Sequence, residues 1–252
     1  MPRFLTFALV APLASFGALA VGERRGGFDR PARSAVLGLI GACLGLERED
    51  NDAQSALAAG YGLGLLCHAP GRMLADYHTA QVPPALRNRR FATRAAELAA
   101  PDLNTVLSRR DYRAGAWHLG AVWTREPAAR WTLDAIGEAM ERPVFTPYLG
   151  RKSCPLGLPL APSIAEAADA PMALLARHEG GPESVLPSGG RGALRRWLAG
   201  DDGEPVITLD ADGIGADDPR LLRTEWRRDQ PRSRRRWQFD LRQEVVLRGT
   251  DQ

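Results

Sequence analysis

The sequence predicts an α+β fold in which a ferredoxin-like βαββαβ unit carries an insertion and a C-terminal β extension. The chain has 252 residues, 44% of them hydrophobic, which is enough to bury one large core. Strand-like and helix-like patterns follow one another in the order strand, helix, strand, strand, helix. That order is typical of the ferredoxin-like unit, which presents an open sheet face. No repeat of fixed period and no separate domain is evident, so residues 1–252 are expected to form a single domain.

Each predicted element has its own signal. The first strand, Phe4–Val10, is a mostly apolar run. Ser34 is a good N-cap for the segment Ala35–Leu46, which is apolar on all sides and is expected to be a buried helix. The segments Thr105–Tyr112 and Ala116–Trp123 alternate like paired strands joined by a short turn. The other predicted elements are a short helix Gln54–Ala59, strands Gly62–Cys67 and Met73–Gln81, a helix Trp131–Met140, a short helix Arg191–Leu198, a strand Pro205–Leu209, and a terminal hairpin of Thr224–Arg228 and Trp237–Leu247.

The N-terminal segment supports two interpretations. Arg3, the apolar run after it and the triplet Ala18-Leu19-Ala20 resemble a secretory signal, which would make the chain an exported small-molecule binder. Pro12 interrupts the run, however, and three cysteines are an unusual number for an exported protein. A first β-strand in a cytoplasmic protein is therefore expected, and no other segment is long and apolar enough to span a bilayer.

Common catalytic and metal-binding motifs are missing. Cys43, Cys67 and Cys154 form no CxxC pair and have no histidine at ligand spacing. The sequence contains no GxxxxGK[ST], GxGxxG, GxSxG or HExxH pattern. No metal or cofactor is therefore expected, and the usual nucleotide-binding, hydrolase and metalloprotease classes lack their signatures.

Charge is unevenly distributed along the chain. The range 72–113 holds eight arginines against four acids, and the range 220–248 holds ten against four. The range 160–219 between them carries eleven acids against four arginines. A basic face that holds nucleic acid would produce this pattern, although ordinary solvated faces would produce it too.

The stretch FTPYLGRKSCPLGLPL, residues 145–160, contains the only lysine among 33 basic residues. Tyr148 offers a ring for base stacking, Arg151 a planar fork, Lys152 a compact charge and Ser153 a small donor. Prolines and glycines on both sides predict a stiff loop that a sugar-phosphate backbone can approach. A surface loop with charged tips is the alternative.

Two further groups are candidates for RNA contact. The segment DYHT places Tyr77, His78 and Thr79 at the end of a predicted strand, and Arg109 and Arg110 lie among aromatics in the next one. Tyr77, His78 and Lys152 also supply the residue types of a metal-independent endoribonuclease, with His78 as the base. An adjacent His and Tyr are more often a packing feature. The cluster PRSRRRW, residues 231–237, predicts polyanion binding without sequence preference.

Three blocks of the sequence resemble the CasD family of type I-E CRISPR Cascade subunits. They are ARSAVLGLIGACLGLERED (Ala32–Asp50), DYHT (Asp76–Thr79) and FTPYLGRKSCPLGLPL (Phe145–Leu160). Weaker similarity continues through Thr105–Trp123 and EPVITL, so the resemblance spans most of the first 210 residues. It implies a RAMP-type, RRM-like domain with an inserted β-hairpin thumb at about Val82–Asp111.

The resemblance also implies a function and a set of partners. It implies a non-catalytic subunit that caps the 5′ handle of the CRISPR RNA (crRNA) and contacts the CasC backbone subunit and the large CasA subunit. Arg33 and Ser34, at the start of the buried helix, would then face a phosphate. Residues Tyr148–Ser153 would form a second wall of the same site.

Two further hypotheses concern the C-terminal hairpin and RNA cleavage. The basic hairpin at about residues 220–248 is longer than the family predicts, and Arg232–Arg236 in it are candidates for contact with target DNA. Some relatives in other CRISPR subtypes cut repeat RNA themselves, which keeps the endoribonuclease hypothesis as the alternative. In type I-E systems a different subunit usually does the cutting.

Overall fold

The computed structural model describes residues 1–17, 22–84, 90–125, 127–180, 205–215 and 217–249. These residues form one large, mostly antiparallel sheet with few helices, an α+β architecture. The predicted helix Arg191–Leu198 lies outside the described residues. The strands are β1 (Arg3–Ala14), β2 (Arg24–Arg25), β3 (Tyr61–Ala69), β4 (Arg72–Val82), β5 (Asn104–Thr124), β6 (Ser163–Glu166), β7 (Val206–Asp210), β8 (Leu221–Ser233) and β9 (Gln238–Arg248). The helices are α1 (Arg33–Cys43), α2 (Asn51–Gly60), α3 (Arg94–Leu98), α4 (Leu133–Glu141) and α5 (Ala170–Glu179).

The sheet is built around the long strand β5. Its order is β6-β1-β5-β3-β7-β9-β8, and β2 and β4 also pair with β5. The C-terminal half of β5 lies between β1 and β3, whereas its N-terminal half pairs with β4 and β2. The predicted hairpin of Thr105–Tyr112 and Ala116–Trp123 is therefore wrong, because both segments belong to this one strand. Gly115 has a positive φ of 74° but does not reverse the chain.

The strands β4 and β5 form a hairpin that overlaps the segment Val82–Asp111, where a thumb was expected. Pairing runs from Arg72 opposite Ala114 to Val82 opposite Asn104. The hairpin thus begins at Arg72, well before the expected boundary at Val82. A left-handed glycine at the turn, Gly71, makes this start possible, because a Cβ there would lie 2.9 Å from the carbonyl oxygen of Ala114.

Apolar cores cover both faces of the central strands. On one face, Phe7 of β1 packs in a cluster with Ile40 of α1 and Ile136 of α4. On the other face, Trp117 of β5 and Leu174 of α5 belong to a second cluster. Because successive residues of a strand point to opposite faces, a strand covered on both sides reads as a continuous apolar run. The predicted first strand is confirmed on this basis and extends to Ala14. Among the described helices, none has the length and apolar character that crossing a membrane requires.

A buried ion network attaches the C-terminal hairpin of β8 and β9 to the rest of the fold. The side chains of Asp210, Asp229 and Glu244 are all buried, at most 6% exposed. Arg242 reaches all three, with distances of 3.1 Å to Asp210, 2.7 Å to Asp229 and 2.7 Å to Glu244. Further guanidinium groups complete the network, from Arg30, Arg33, Arg125 and Arg227. Part of the positive charge counted in the range 220–248, that of Arg227 and Arg242, is therefore neutralised inside the protein.

Candidate nucleic-acid interface

The loop that carries the single lysine is fixed along the edge of β1. The backbone N–H of Ser15 donates to the carbonyl of Leu149 at 3.0 Å, and Gly157 donates to Val10 at 2.8 Å. Within the loop, Leu149 N–H donates to the carbonyl of Cys154 at 2.9 Å, which closes a tight turn. Lys152 and Ser153 lie exposed at the tip of this turn. We call residues Tyr148–Ser153 the lysine loop.

Gly150 allows the lysine loop to lie this close to β1. Its φ is +92°, and a Cβ at this position would be 1.7 Å from the carbonyl oxygen of Ser15. A left-handed backbone and a steric conflict of this size both require glycine. Leu149 and Cys154 are buried beneath the turn, so the loop has a rigid base.

The lysine loop contacts the β4–β5 hairpin. The guanidinium of Arg151 lies over the ring of Tyr112 at 4.5 Å, a cation–π contact. Arg110 precedes Tyr112 by two residues and shares its face of β5, about 7 Å along the strand. His78 lies opposite Ser108 on the same face, and its Nε2 contacts the carboxylate of Asp76. We call this surface, with exposed Arg110 and His78 next to the lysine loop, the loop-side face.

Tyr77 and Arg109 lie on the opposite face of the hairpin. They are a direct cross-strand pair, and Arg24 of β2 stands beside Arg109. Both arginines approach the buried carboxylate of Asp111, with Arg24 at 3.2 Å and Arg109 at 3.7 Å. Thr79, two residues after Tyr77 and exposed, shares this face. The structure thus separates neighbours that the sequence presented together, Tyr77 from His78 and Arg109 from Arg110.

Arg33 does not lie in the site, and the prediction that it faces a phosphate is wrong. Its side chain is 1% exposed, and its Nε donates to the carboxylate of Asp210 at 3.0 Å. Its backbone N–H, the free donor expected to meet a phosphate, donates to Asp229 at 2.8 Å. The anion at this helix N-terminus is therefore the protein's own carboxylate. The carbonyl of Ser34 accepts a hydrogen bond from Arg234, which places Ser34 against the C-terminal hairpin.

Sequence reasoning missed the contribution of β2. Arg24 and Arg25 pair with Arg109 and Arg110, so four arginines lie side by side on two adjacent strands. The composition around them is glycine-rich, and a strand of two residues has no periodicity to detect. The available signal was the adjacent pair of arginines itself.

Metal and thiol chemistry find little support in this part of the chain. Among the described residues, no group of three or more His, Cys, Asp or Glu side chains is arranged to hold a metal ion. Burial raises the pKa of Cys43 to about 11 and that of Cys67 to about 12. Both remain thiols at neutral pH, so neither is an activated nucleophile.

Comparison with known proteins identifies the family and supports the fold. The family described as CRISPR-associated protein (Cas_Cas5) matches residues 4–243. The CRISPR system Cascade subunit CasD of Escherichia coli (strain K12) is 30% identical over 217 residues, covering 83% of this chain and 91% of that protein. A chain of a CRISPR RNA-guided surveillance complex superposes with a TM-score of 0.59 at 22% identity, over 97% of this chain and 89% of that one. A second solved structure, described as a Cas protein, gives 0.56 at 22% identity, over 98% and 95%. At this level of identity the two structures show a shared fold. The family match over residues 4–243 and the 30% identity to a CasD subunit establish that this chain belongs to the CRISPR-associated Cas5 family.

Proposed function

We propose that the chain is a non-catalytic RNA-binding subunit of a Cascade-type CRISPR surveillance complex, where it anchors the 5′ handle of the crRNA. The observation that carries the proposal is the fixed contact between the lysine loop and the hairpin through Arg151 and Tyr112. This contact brings together two cation-bearing segments that are far apart in sequence. The complex would act in the cytoplasm, with neighbours equivalent to the CasC backbone subunit and the large CasA subunit.

The chemistry of the loop-side face suits a single RNA end. Lys152 offers a point charge and Arg110 a planar fork for phosphates, and Ser153 adds a hydroxyl donor. The ring of Tyr148 is 39% exposed and can stack on an unpaired base. Tyr77, Thr79 and Arg109 form a second surface on the other side of the hairpin, which a bent strand or a neighbouring subunit would cover.

The strand order supports the finer classification of the fold. Read from β6 through β1 and β5 to β3, all neighbours are antiparallel, and helices connect β1 to β3 and β5 to β6. This is the arrangement of a ferredoxin-like βαββαβ core. The hairpin of β4 and the first half of β5 would then be the thumb, and β7 to β9 the C-terminal extension.

The placement of Tyr77 and His78 argues against RNA cleavage. They are adjacent in β4 and therefore point to opposite faces of the hairpin, so they cannot act together on one phosphate. The contact between Asp76 and His78 is the feature that a general base would use, but both side chains are exposed, at 37% and 52%.

Removing both cations of the lysine loop tests the proposal. Arg151→Ala with Lys152→Ala is expected to weaken binding of handle RNA by about tenfold or more, since even one charge-assisted contact is worth about 1.5–3 kcal/mol. The slope of log affinity against log salt should fall by about 1.4, or about 0.7 for each lost phosphate contact. Affinity is measured by titrating labelled handle RNA, and assembly by co-purification with the other subunits.

A charge-matched variant provides the control for this measurement. Arg3→Ala with Arg130→Ala also removes two exposed cations, but both lie outside the hairpin and the lysine loop. It should leave handle affinity and assembly unchanged. If the two double variants lose affinity equally, the charge effect is general and the proposed site is wrong.

A further inference from the structure

The C-terminal hairpin exposes a row of aromatic and apolar side chains on its outer face. Trp226 pairs with Gln243, Arg228 with Leu241, and Pro231 with Phe239, so these side chains follow one another on a single face. Trp226 is 65% exposed, Leu241 52% and Trp237, at the end of the row, 60%. The ring of Trp237 meets that of Phe239 edge to face, with centroids 5.5 Å apart. We call Trp226, Arg228, Leu241, Phe239 and Trp237 the outer stripe.

The outer stripe is held on a rigid base. The opposite face of the hairpin carries Arg227, Asp229 and Glu244, which belong to the buried ion network. At the turn, Arg48 donates to the carbonyls of Arg234 and Arg235 at 2.9 and 3.2 Å, and its guanidinium covers Trp237 at 4.9 Å.

The backbone of Trp237 is itself unusual. Its φ is +56°, a left-handed conformation that is a genuine outlier for a bulky residue. The bonds from Arg48 and the contact of Arg234 with Ser34 hold the turn in this conformation. The result is a large ring fixed in place with one side covered by a guanidinium and more than half of its surface open to solvent.

The charges around the outer stripe determine what it can bind. Within the described parts of the chain, Arg228, Arg235 and Arg236 make no salt bridge, and Arg232 has only a distant one to Asp240 at 3.8 Å. A neutral apolar protein surface would leave these guanidinium groups desolvated and unpaired. A duplex would offer phosphates but keep its bases stacked inside, away from the rings.

We propose that the outer stripe binds an unpaired nucleic-acid strand, with bases stacked on Trp226 and Trp237 and phosphates against Arg228, Arg235 and Arg236. Exposed rings interleaved with cations that have no carboxylate partner are the features that bind single strands without sequence preference. This second site shares no residue with the lysine loop or the β4–β5 hairpin, so it goes beyond handle binding and does not depend on it.

The test measures binding of labelled 15-nucleotide oligouridylate, oligothymidylate and a 15-base-pair duplex to the full chain. Every variant also carries Arg151→Ala and Lys152→Ala, so that binding at the handle site is already reduced. Trp226→Ala and Trp237→Ala should each weaken single-strand binding by about fivefold or more, in line with the known contribution of stacking. Duplex binding should change by less than about twofold, and the two single strands show whether the 2′-hydroxyl matters.

Conservative variants and charge variants distinguish base stacking from general electrostatic attraction. Trp226→Phe and Trp237→Phe keep a stacking face and should bind nearly as the parent does, which also controls for misfolding. Arg235→Ala with Arg236→Ala should lower the salt slope by about 1.4, whereas the tryptophan variants should leave it unchanged. Equal losses for single strands and duplex, or unchanged single-strand affinity in both Trp→Ala variants, would overturn the proposal. Trp→Ala variants that keep oligonucleotide affinity but fail to join the complex would assign the stripe to a protein partner instead.

Discussion

Asp210→Ala is expected to lower the free energy of unfolding by about 3–5 kcal/mol, the usual cost of breaking a buried ion pair by removing one partner. The Asp210 carboxylate accepts from Arg33 at 3.0 Å, Arg125 at 2.9 Å and Arg242 at 3.1 Å. It also accepts from the backbone N–H of Leu63 at 3.1 Å. Its removal leaves several buried donors with fewer partners at the junction of α1, β3 and β9.

Urea unfolding followed by circular dichroism measures this effect, and Asp212→Ala is the matched control. Asp212 also pairs with Arg125, but its side chain is 55% exposed. An exposed pair contributes about 0–1 kcal/mol, so the control should change stability little. Equal effects from the two variants would mean that the network around Asp210 does not hold the C-terminal hairpin in place.

Gly150→Ala is expected to abolish the seating of the lysine loop on β1 and to weaken handle binding by about tenfold or more, as the loss of charge-assisted contacts implies. The added Cβ would lie 1.7 Å from the carbonyl oxygen of Ser15, and the backbone has a φ of +92°. The carbonyl of Ser15 belongs to the backbone and cannot move aside as a flexible side chain could. The lysine loop must therefore move away from β1, which separates Arg151 from Tyr112.

The control for this variant is Gly215→Ala, since a Cβ at Gly215 meets no atom within 4 Å. It should bind handle RNA as the parent chain does. Affinity is measured by the same RNA titration, and the loss of the Arg151 contact by the change in Tyr112 environment in NMR spectra. Parent-like affinity in Gly150→Ala would show that the position of the lysine loop is irrelevant to RNA binding.

Local sequence patterns were sufficient to predict β1 and α4. The strand β1 was predicted from its apolar run, because both of its faces are buried, and the helix α4 was predicted from the helical period of its apolar residues. β5 was missed because a strand that changes neighbours halfway, with a left-handed Gly115 at the change, has the same local pattern as two strands and a turn. Which strands pair is a tertiary property that periodicity does not encode.

The candidate site shows the same division between local and long-range information. The lysine loop was found because its composition is unusual, and its exposed tip agrees with that prediction. The role of Arg33 was not predictable, because the carboxylate that occupies its helix N-terminus comes from Asp229, 196 residues away in the chain. Counting arginines also overstated the free charge of the C-terminal hairpin, since Arg227 and Arg242 point into the buried network.

The most direct test incubates 5′-labelled CRISPR repeat RNA with the purified chain in the presence of a metal chelator, and then probes the bound RNA with an added metal-independent nuclease. The RNA should stay full length before the nuclease is added, and its handle should then be protected from digestion, with protection lost in the Arg151→Ala, Lys152→Ala variant. A shortened product that disappears in His78→Ala, or a handle digested as fast as free RNA, would contradict the claim that this chain holds the RNA end without cutting it.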